Sequence, residues 1–364
     1  MVENHKRVEE AIAAFKRGEL IVVADDDDRE NEGDLFIAAS LCTPEKMAFI
    51  IRHTSGIVCA PVAVEDARRL HLDPMVAAND APLGTAFTVS VDYKHGLTTG
   101  ISAEERTNTV RGLANGNAGA TDFVRPGHVF PLVAKEGGVL MRSGHTEACV
   151  DLCRLAGLPT VGVLSELMND NGTVMRGPQV TAFAEQHKLK SVTIAELISY
   201  RQTRDKLVER IAEFIVPSEI GELRAFAYVT PFDQVRHMAF ILGDIGDGKS
   251  VLTRLHRGHM IGDVLGGAKV LRRAMAKIKE EGNGVIVYLQ DGAAGVPSTA
   301  VPTAPDATSE GVRTRQWREV GLGAQILKDL GVSSIRLLVS ANTTYIGVTG
   351  FGIEIESTEH IPRL

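Results

Sequence analysis

The stretch VVADDDDRENEGDLFIA, residues 22–38, decides how the first part of the chain folds. Apolar runs on either side of its acidic centre, Leu20–Ala24 and Leu35–Ala39, have the length and composition of strands. The ten residues from Asp25 to Asp34 carry seven carboxylates and one arginine, a charge of −6 in a chain whose net charge is −7. Carboxylates crowded into one connection repel one another unless a cation screens them, and such oxygen-rich clusters suit Mg²⁺ or Mn²⁺. The segment predicts a metal site between two core strands; the alternative is an exposed acidic loop that aids solubility.

Strand-like and helical segments alternate along the 364 residues, which indicates an α/β fold in two domains. In the first half, further strands are predicted at Ile57–Val62, Phe87–Val91, Val129–Ala134 and Thr160–Leu164, and a helix at Pro44–His53. A charge-rich helical connector is predicted from Val192 to about Phe214. The second half predicts strands at 223–229, 238–242, 285–289 and 335–339, helices at 268–281 and 322–330, and a long loop at 292–309. We expect domains at residues 1–205 and 217–364, joined by a connector at 206–216.

Composition and charge exclude several classes of protein. No window approaches ~18 consecutive apolar residues and the N-terminus lacks an apolar signal core, so we expect no membrane association. Four cysteines, all before residue 154, are too few for a disulfide scaffold. Outside the acidic run the charge is nearly balanced, so no basic surface for nucleic acid is expected. These features predict a soluble, cytoplasmic protein.

The turn Arg142-Ser143-Gly144-His145-Thr146 is the second candidate site. It follows a strand-like run and opens a helix, so its backbone N–H groups and side chains form an anion site suited to a phosphate monoester. His145 could instead bind a metal, and an ordinary capped turn is the structural alternative. In the helix that follows, the periodicity places Cys149 and Cys153 on a buried face, with Glu147, Asp151 and Arg154 on the opposite face.

Two shorter fragments each offer one acid/base group. His128 follows a Pro-Gly turn, which is a rigid mount for a histidine, and Glu166 ends the strand at 160–164, where α/β sheets usually place their sites. Cys59 is predicted to be a buried strand residue that could line a pocket.

Five motifs in this order resemble 3,4-dihydroxy-2-butanone 4-phosphate synthase of riboflavin biosynthesis: DDDDRENEGDLF, RHTSGIVC, RPGHVFPL, RSGHTEACVDL and GVLSELMNDNGTVMR. The resemblance covers roughly residues 5–203 and implies a mixed-sheet domain that converts ribulose 5-phosphate to the four-carbon phosphate and formate with Mg²⁺. It implies Glu30 and His145 as metal ligands. It also implies that Arg29, Glu30, Asp34, Arg142, Ser143, Gly144, His145, Thr146 and Glu166 contact the sugar phosphate. His128 and Glu166 match positions essential for catalysis, and Asp26, Glu32 and Cys59 match positions that line the active site.

From about residue 215 the chain resembles GTP cyclohydrolase II, through RLHRGHMIGDVLGG, EEGNGVIVYL, VGLGAQILKDLGVSSIRLL and GFGIEI. That family binds Zn²⁺ through three cysteines, and the corresponding positions here are His259, Val270 and Arg272. Its Glu-Gly-Arg contact has become Gly292-Ala293-Ala294, its acid/base aspartate is Gln316 and its lysine is Thr344, whereas Arg318 is kept. A zinc site built from His256 and His259 would lack a third ligand. We therefore expect a degenerate domain without zinc.

The combined expectation is a Mg²⁺- or Mn²⁺-dependent synthase with an inactive cyclohydrolase-like domain. The alternatives are a bifunctional enzyme that retains GTP cyclohydrolase II activity, or a second domain that binds a nucleotide or a riboflavin-pathway partner. The resemblance also implies a homodimer through the first domain.

Overall fold

The computed structural model describes residues 2–25, 31–81, 83–206, 208–231, 233–258, 261–265, 267–290, 321–340 and 353–361. The chain divides into two compact units, Met1–Tyr200 and Arg201–Leu364. Several residues singled out in the sequence lie outside the described residues: Asp26, Arg29, Glu30, His259, residues 292–294, Gln316, Arg318 and Thr344.

The first unit is built on a seven-stranded mixed sheet with the order β4-β5-β3-β6-β2-β1-β7. Its strands are β1 (Ile21–Ala24), β2 (Gly33–Ala38), β3 (Cys59–Val62), β4 (Val91–Tyr93), β5 (Phe123–Val133), β6 (Gly162–Glu166) and β7 (Lys190–Thr193). Its helices are α1 (Val2–Lys16), α2 (Pro44–His53), α3 (Val64–Arg69), α4 (Ala103–Ala114), α5 (His145–Ala156), α6 (Pro178–Gln186) and α7 (Ile194–Arg204), the last of which contains the boundary between the units. The pairs β3/β5 and β1/β7 are parallel, and the other neighbours are antiparallel.

Local sequence explains where the helices of this unit begin and end. Thr43 caps α2 by accepting a hydrogen bond from the Lys46 N–H, and Pro44 occupies the first helical position. Ser102 and Glu105 form a capping box at the start of α4. Gly157 ends α5 with φ 69°, a left-handed conformation that glycine adopts without steric cost. Buried aliphatic side chains such as Leu35, Ile37, Met47 and Ile50 then join the sheet and the helices in one core.

Of the three residues predicted to lie opposite the buried face of α5, Arg154 is exposed, but Glu147 and Asp151 are both 1% exposed, so the prediction is wrong for these two. The helix packs against β3 and β6 on one side and against α1 and the 138–140 turn elsewhere, so little of its surface faces water. The two buried carboxylates accept hydrogen bonds from backbone N–H groups of the preceding turn, at Lys135 and Val139. Burial is tolerated because these bonds replace those lost to water.

The second unit contains a seven-stranded sheet with the order β14-β13-β11-β12-β10-β9-β8. Its strands are β8 (Glu209–Ser218), β9 (Gly221–Thr230), β10 (Asp233–Leu242), β11 (Val251–Gly258), β12 (Gly284–Gln290), β13 (Ser334–Val339) and β14 (Glu354–His360). Helices α8 (Lys269–Glu281) and α9 (321–329) complete the described part. The predicted helical connector is wrong beyond Arg204, since β8 begins at Glu209. β8 is an edge strand whose side chains are mostly exposed on both faces, so no apolar alternation marks it. Within the described part of the chain, no helix has both the length and the apolar composition needed to cross a bilayer.

Candidate active site

Seven of the predicted site residues line one cavity of about 110 Å³ in the first unit. They are Glu32, Asp34, Cys59, Arg142, His145, Thr146 and Glu166. The sheet brings the carboxylates together, because Asp34 on β2 lies directly opposite Glu166 on β6 in the antiparallel register. On β3, Cys59 pairs with Leu164 of β6, two residues before Glu166. Residues distant in sequence therefore meet where β2, β3 and β6 adjoin.

Hydrogen bonds hold two of the carboxylates that line this cavity, Glu166 and Glu32. Glu166 Oε2 accepts a bond from Ser55 Oγ at 2.8 Å, and Glu32 pairs with Arg176 at 2.9 Å. Asp25 and Glu32 are bonded on either side of residues 26–30: the Glu32 N–H donates to Asp25 Oδ1 at 2.9 Å, and the Asp25 N–H donates to the Glu32 carbonyl at 3.2 Å. The two ends of the acidic run are thus held together beside the cavity.

Arg142 is held by an internal ion pair. Its Nη1 lies 2.6 Å from Glu147 Oε2, and its Nη2 donates to the Leu83 carbonyl at 3.2 Å and to Thr85 Oγ1 at 3.3 Å. Thr85 and Phe87 also line the cavity. Sequence reasoning missed Thr85, because nothing local distinguishes it from other loop threonines, and it missed the pairing of Glu147.

Cys59 is buried, at 2% exposure. Burial raises the pKa of its thiol well above the ordinary value, and the carboxylates of Glu166 and Asp34 raise it further. The side chain is therefore a neutral thiol at physiological pH and does not supply a thiolate nucleophile.

His128 does not line this cavity. It lies on β5, where its backbone N–H donates to Asp92 Oδ1 at 2.8 Å and its Nδ1 is 2.7 Å from Asp92 Oδ2. Asp92 is 4% exposed and the His128 side chain is 41% exposed. Because an ionised carboxylate only accepts hydrogen bonds, Nδ1 donates its proton to Asp92, and Nε2 is the acceptor atom of the neutral ring. The contact between Asp92 and His128 could not be predicted from the sequence, because the two residues are 36 positions apart.

The donors around the cavity suit a hard divalent ion. Asp34, Glu32 and Glu166 offer carboxylate oxygens and His145 offers an imidazole, the kinds of donor atom that Mg²⁺ and Mn²⁺ accept. His145 begins α5 and is 9% exposed. Among the described residues no group of three or more His, Cys, Asp or Glu side chains is arranged to hold a metal; Glu30, which the family resemblance implies as a ligand together with His145, lies outside them.

In the second unit, two of the three positions at which the sequence lacks cysteines lie on α8, and the third, His259, lies outside the described residues. Val270 and Arg272 are in its first turn, and Arg272 Nε lies 3.7 Å from Glu219. His256 is buried on β11, with Nε2 3.0 Å from Asp263, which also accepts a hydrogen bond from the Tyr288 hydroxyl at 2.8 Å. Burial lowers the pKa of His256, although the bond to Asp263 opposes this shift. His256 is thus part of an internal hydrogen-bonded group.

Comparison with known proteins finds relatives along the whole chain. The family model for 3,4-dihydroxy-2-butanone 4-phosphate synthase matches residues 9–200, and that for GTP cyclohydrolase II matches residues 209–362. The bifunctional riboflavin biosynthesis protein RIBA 1, chloroplastic, of Arabidopsis thaliana is 45% identical over 366 residues, which cover 96% of this chain and 67% of that protein.

Two solved structures extend the comparison. RibBX, a two-domain 3,4-dihydroxy-2-butanone 4-phosphate synthase from A. baumannii, has 36% identity and a TM-score of 0.81, covering 97% of this chain and 99% of that chain. A 3,4-dihydroxy-2-butanone 4-phosphate synthase in complex with two magnesium ions has 47% identity and a TM-score of 0.54, covering 54% of this chain and 97% of that chain. The chain therefore belongs to the 3,4-dihydroxy-2-butanone 4-phosphate synthase family and carries a second domain of the GTP cyclohydrolase II family.

Proposed function

We propose that the first domain converts D-ribulose 5-phosphate to 3,4-dihydroxy-2-butanone 4-phosphate and formate through the residues of the 110 Å³ cavity. Membership of the family supports the synthase activity, a small-molecule substrate and the use of a divalent metal. The observation that supports this site is the meeting of Asp34 and Glu166 across β2 and β6, beside His145 and the turn at Arg142.

Acid/base groups at the cavity account for the proton transfers. The reaction enolises, dehydrates and rearranges a carbon skeleton before formate leaves, so protons move on and off adjacent carbons and oxygens. Glu166, oriented by Ser55, and Asp34 are two carboxylates on opposed strands that can exchange protons with neighbouring atoms of one substrate. His128 lies outside this cavity; because the family resemblance implies a catalytic role for it, we propose that its Nε2 acts as a further base while its Nδ1 is bonded to Asp92.

Two features of the chain hold the substrate and the metal. Arg142, in the turn before α5, and Thr146, in the first turn of α5, bind the phosphate, which takes no part in the bond changes and positions the reacting carbons. Glu30 and His145 hold Mg²⁺ or Mn²⁺, which when bound acts as a Lewis acid toward the substrate oxygens.

The second domain lacks cyclohydrolase chemistry in our proposal. The sequence has no cysteine after residue 153, and Val270 cannot donate a lone pair to zinc. Arg272 would place a positive charge near the cation, and its contact with Glu219 gives it another partner. The name of the Arabidopsis relative favours the alternative, a bifunctional enzyme.

One set of assays tests these proposals. The purified chain is supplied with ribulose 5-phosphate and, separately, with GTP; formate release is measured for both, and zinc by elemental analysis. We expect turnover of ribulose 5-phosphate alone and no stoichiometric zinc. One zinc per chain together with formate release from GTP would establish the bifunctional alternative.

Domain boundaries are tested by truncation. We propose that residues 1–205 suffice for the synthase reaction as a cytoplasmic homodimer, because every residue assigned to it precedes residue 205. Truncation after that residue should keep formate release, and size-exclusion chromatography should report a dimer. Loss of turnover in a folded fragment would show that the second domain completes the site.

A further inference from the structure

We propose that Glu147 is a positioning residue that holds Arg142 in the orientation needed for the substrate phosphate, and that Gly144 is glycine because a side chain would separate this pair. The inference rests on the proposed function, since it takes Arg142 as a phosphate contact.

Glu147 connects the two segments that make the turn. Its side chain is 1% exposed; Oε1 accepts a hydrogen bond from the Lys135 N–H at 3.0 Å, and Oε2 lies 2.6 Å from Arg142 Nη1. Both carboxylate oxygens are thus used, one on the backbone that precedes the turn and one on the guanidinium that lines the cavity. A charge-assisted bond of this length restricts the arginine to one orientation.

Further hydrogen bonds hold the Arg142 guanidinium in place. Nη2 donates to the Leu83 carbonyl and to Thr85 Oγ1, and Thr85 itself lines the cavity. Three of the five N–H groups of the guanidinium are therefore committed to the protein, which leaves one N–H on Nη1 and that on Nε for a ligand. Because the planar group is fixed before the ligand arrives, binding loses little side-chain entropy.

Gly144 supplies independent support. Its backbone has φ −107° and ψ 158°, an extended conformation open to any residue, so the turn itself does not require glycine. A Cβ at this position would clash with Arg142 Nη1 and would lie 2.8 Å from Glu147 Oε2. The absence of a side chain at residue 144 thus makes room for the ion pair.

Replacement of Glu147 by glutamine has two opposed effects. First, it removes a negative charge that repels the phosphate. Second, the amide has only one oxygen, so its NH₂ group must face either the Lys135 N–H or Arg142; both are donors, and two donors cannot form a hydrogen bond. Glu147 is buried behind the arginine and its charge is already neutralised by that pair. The loss of orientation therefore dominates, and phosphate binding weakens.

Asp151 provides a matched control one turn later on α5. It is equally buried and also accepts a backbone N–H from the preceding turn, that of Val139 at 2.8 Å, but the arginine that lies near it, at 3.9 Å, is Arg154 and not Arg142. Loss of its charge should lower stability, as the Glu147 substitution does, without the effect on Arg142.

The experiment compares full-length wild type, Glu147→Gln, Gly144→Ala and Asp151→Asn. Steady-state kinetics use ribulose 5-phosphate, and calorimetric titration uses inorganic phosphate, each at a temperature where all variants are folded. We expect Glu147→Gln and Gly144→Ala to raise KM and the Kd for phosphate by about tenfold or more, with a smaller change in kcat. Asp151→Asn should leave both constants within about twofold of wild type.

The outcomes separate the two proposals. If the wild type binds phosphate but releases no formate, the proposed function is refuted. The positioning role is then judged only from the phosphate Kd values that the titration gives for the variants. Unchanged or tighter phosphate binding in Glu147→Gln, or equal weakening in Asp151→Asn, would overturn the positioning role. If Glu147→Gln fails to fold, Gly144→Ala decides, since it keeps the buried charge.

Discussion

The substitution Asp92→Asn separates the orientation of His128 from the rest of the synthase site. In the wild type the carboxylate accepts two hydrogen bonds, at 2.8 Å from the backbone N–H and at 2.7 Å from Nδ1. Asparagine can still accept the backbone bond through its carbonyl oxygen. Its NH₂ group then faces Nδ1, which must become an acceptor, and the proton moves to Nε2. The lone pair that serves as a base is lost, although the ring stays in place.

The size of the effect follows from this geometry. A general base contributes about 10²–10⁴-fold to turnover, and kcat for formate release should fall by that factor with little change in KM. A hydrogen bond to a charged group is worth about 1.5–3 kcal/mol and the neutral bond that replaces it about 0.5–1.5 kcal/mol, so the substitution should cost about 1 kcal/mol at a histidine that is 41% exposed. In a domain of this size, each kcal/mol shifts the melting temperature by about 2–4 °C, so we expect a loss of roughly 2–4 °C.

A second His–Asp pair in the same domain supplies the control. Asp122 also accepts one bond from a histidine, His95 Nε2 at 2.8 Å, and one from a backbone N–H, that of Gly119 at 2.8 Å. The bond from His95 is the main reason why the pKa of Asp122 lies below its usual value. His95 has no assigned role, so Asp122→Asn should alter stability and leave kcat unchanged. A kcat for Asp92→Asn within about threefold of wild type would refute the role of His128 as an oriented base.

Three further predictions concern the cavity. Arg142→Ala should raise KM for ribulose 5-phosphate, whereas Glu166→Gln should lower kcat while substrate still binds; a change in KM alone for both would refute the role of Glu166. Chelation with EDTA should abolish formate release, Mg²⁺ or Mn²⁺ should restore it, and His145→Ala should be inactive; full activity in metal-free buffer would contradict the ligand assignment. Because the raised pKa of Cys59 keeps its thiol protonated, Cys59→Ala should leave the shape of the kcat–pH profile between about pH 6 and 9 unchanged, and loss of an ionisation in that range would contradict the buried environment.

Much of the first domain could be predicted because its signals are local. The Thr43-Pro44 start of α2 and the apolar runs of β1, β2 and β6 lie within a few residues of the positions expected from periodicity and capping. The lining of the cavity could be predicted in part from the motifs, since Asp34 directly precedes one predicted strand and Glu166 follows another. What joins them is the register of β2 with β6, which no single segment encodes.

Features that depend on contacts between distant segments could not be predicted. The 3.6-residue period places Glu147 opposite the buried face because it reports only where the apolar residues of the helix lie. It contains no information about other elements that pack on the opposite face. Asp92, Thr85 and Glu147 each act on a residue that lies on another element or beyond a turn. The side chains that orient the site residues are therefore the part of the site that is hardest to predict from a single sequence.

The structure of the second domain is compatible with the proposed loss of its family's chemistry. Its sheet is held by buried aliphatic residues such as Val285, Val287 and Leu337, and α8 packs through Ala274 and Ile278. Val270 and Arg272 lie on α8 outside that buried stripe, so replacing thiolates there leaves no cavity in the core. Stability depends on many apolar contacts, whereas a tetrahedral zinc site depends on three side chains. Substitution at those positions can remove metal binding at almost no cost in folding free energy, so the match to the cyclohydrolase family reports the fold of residues 209–362 and not their activity.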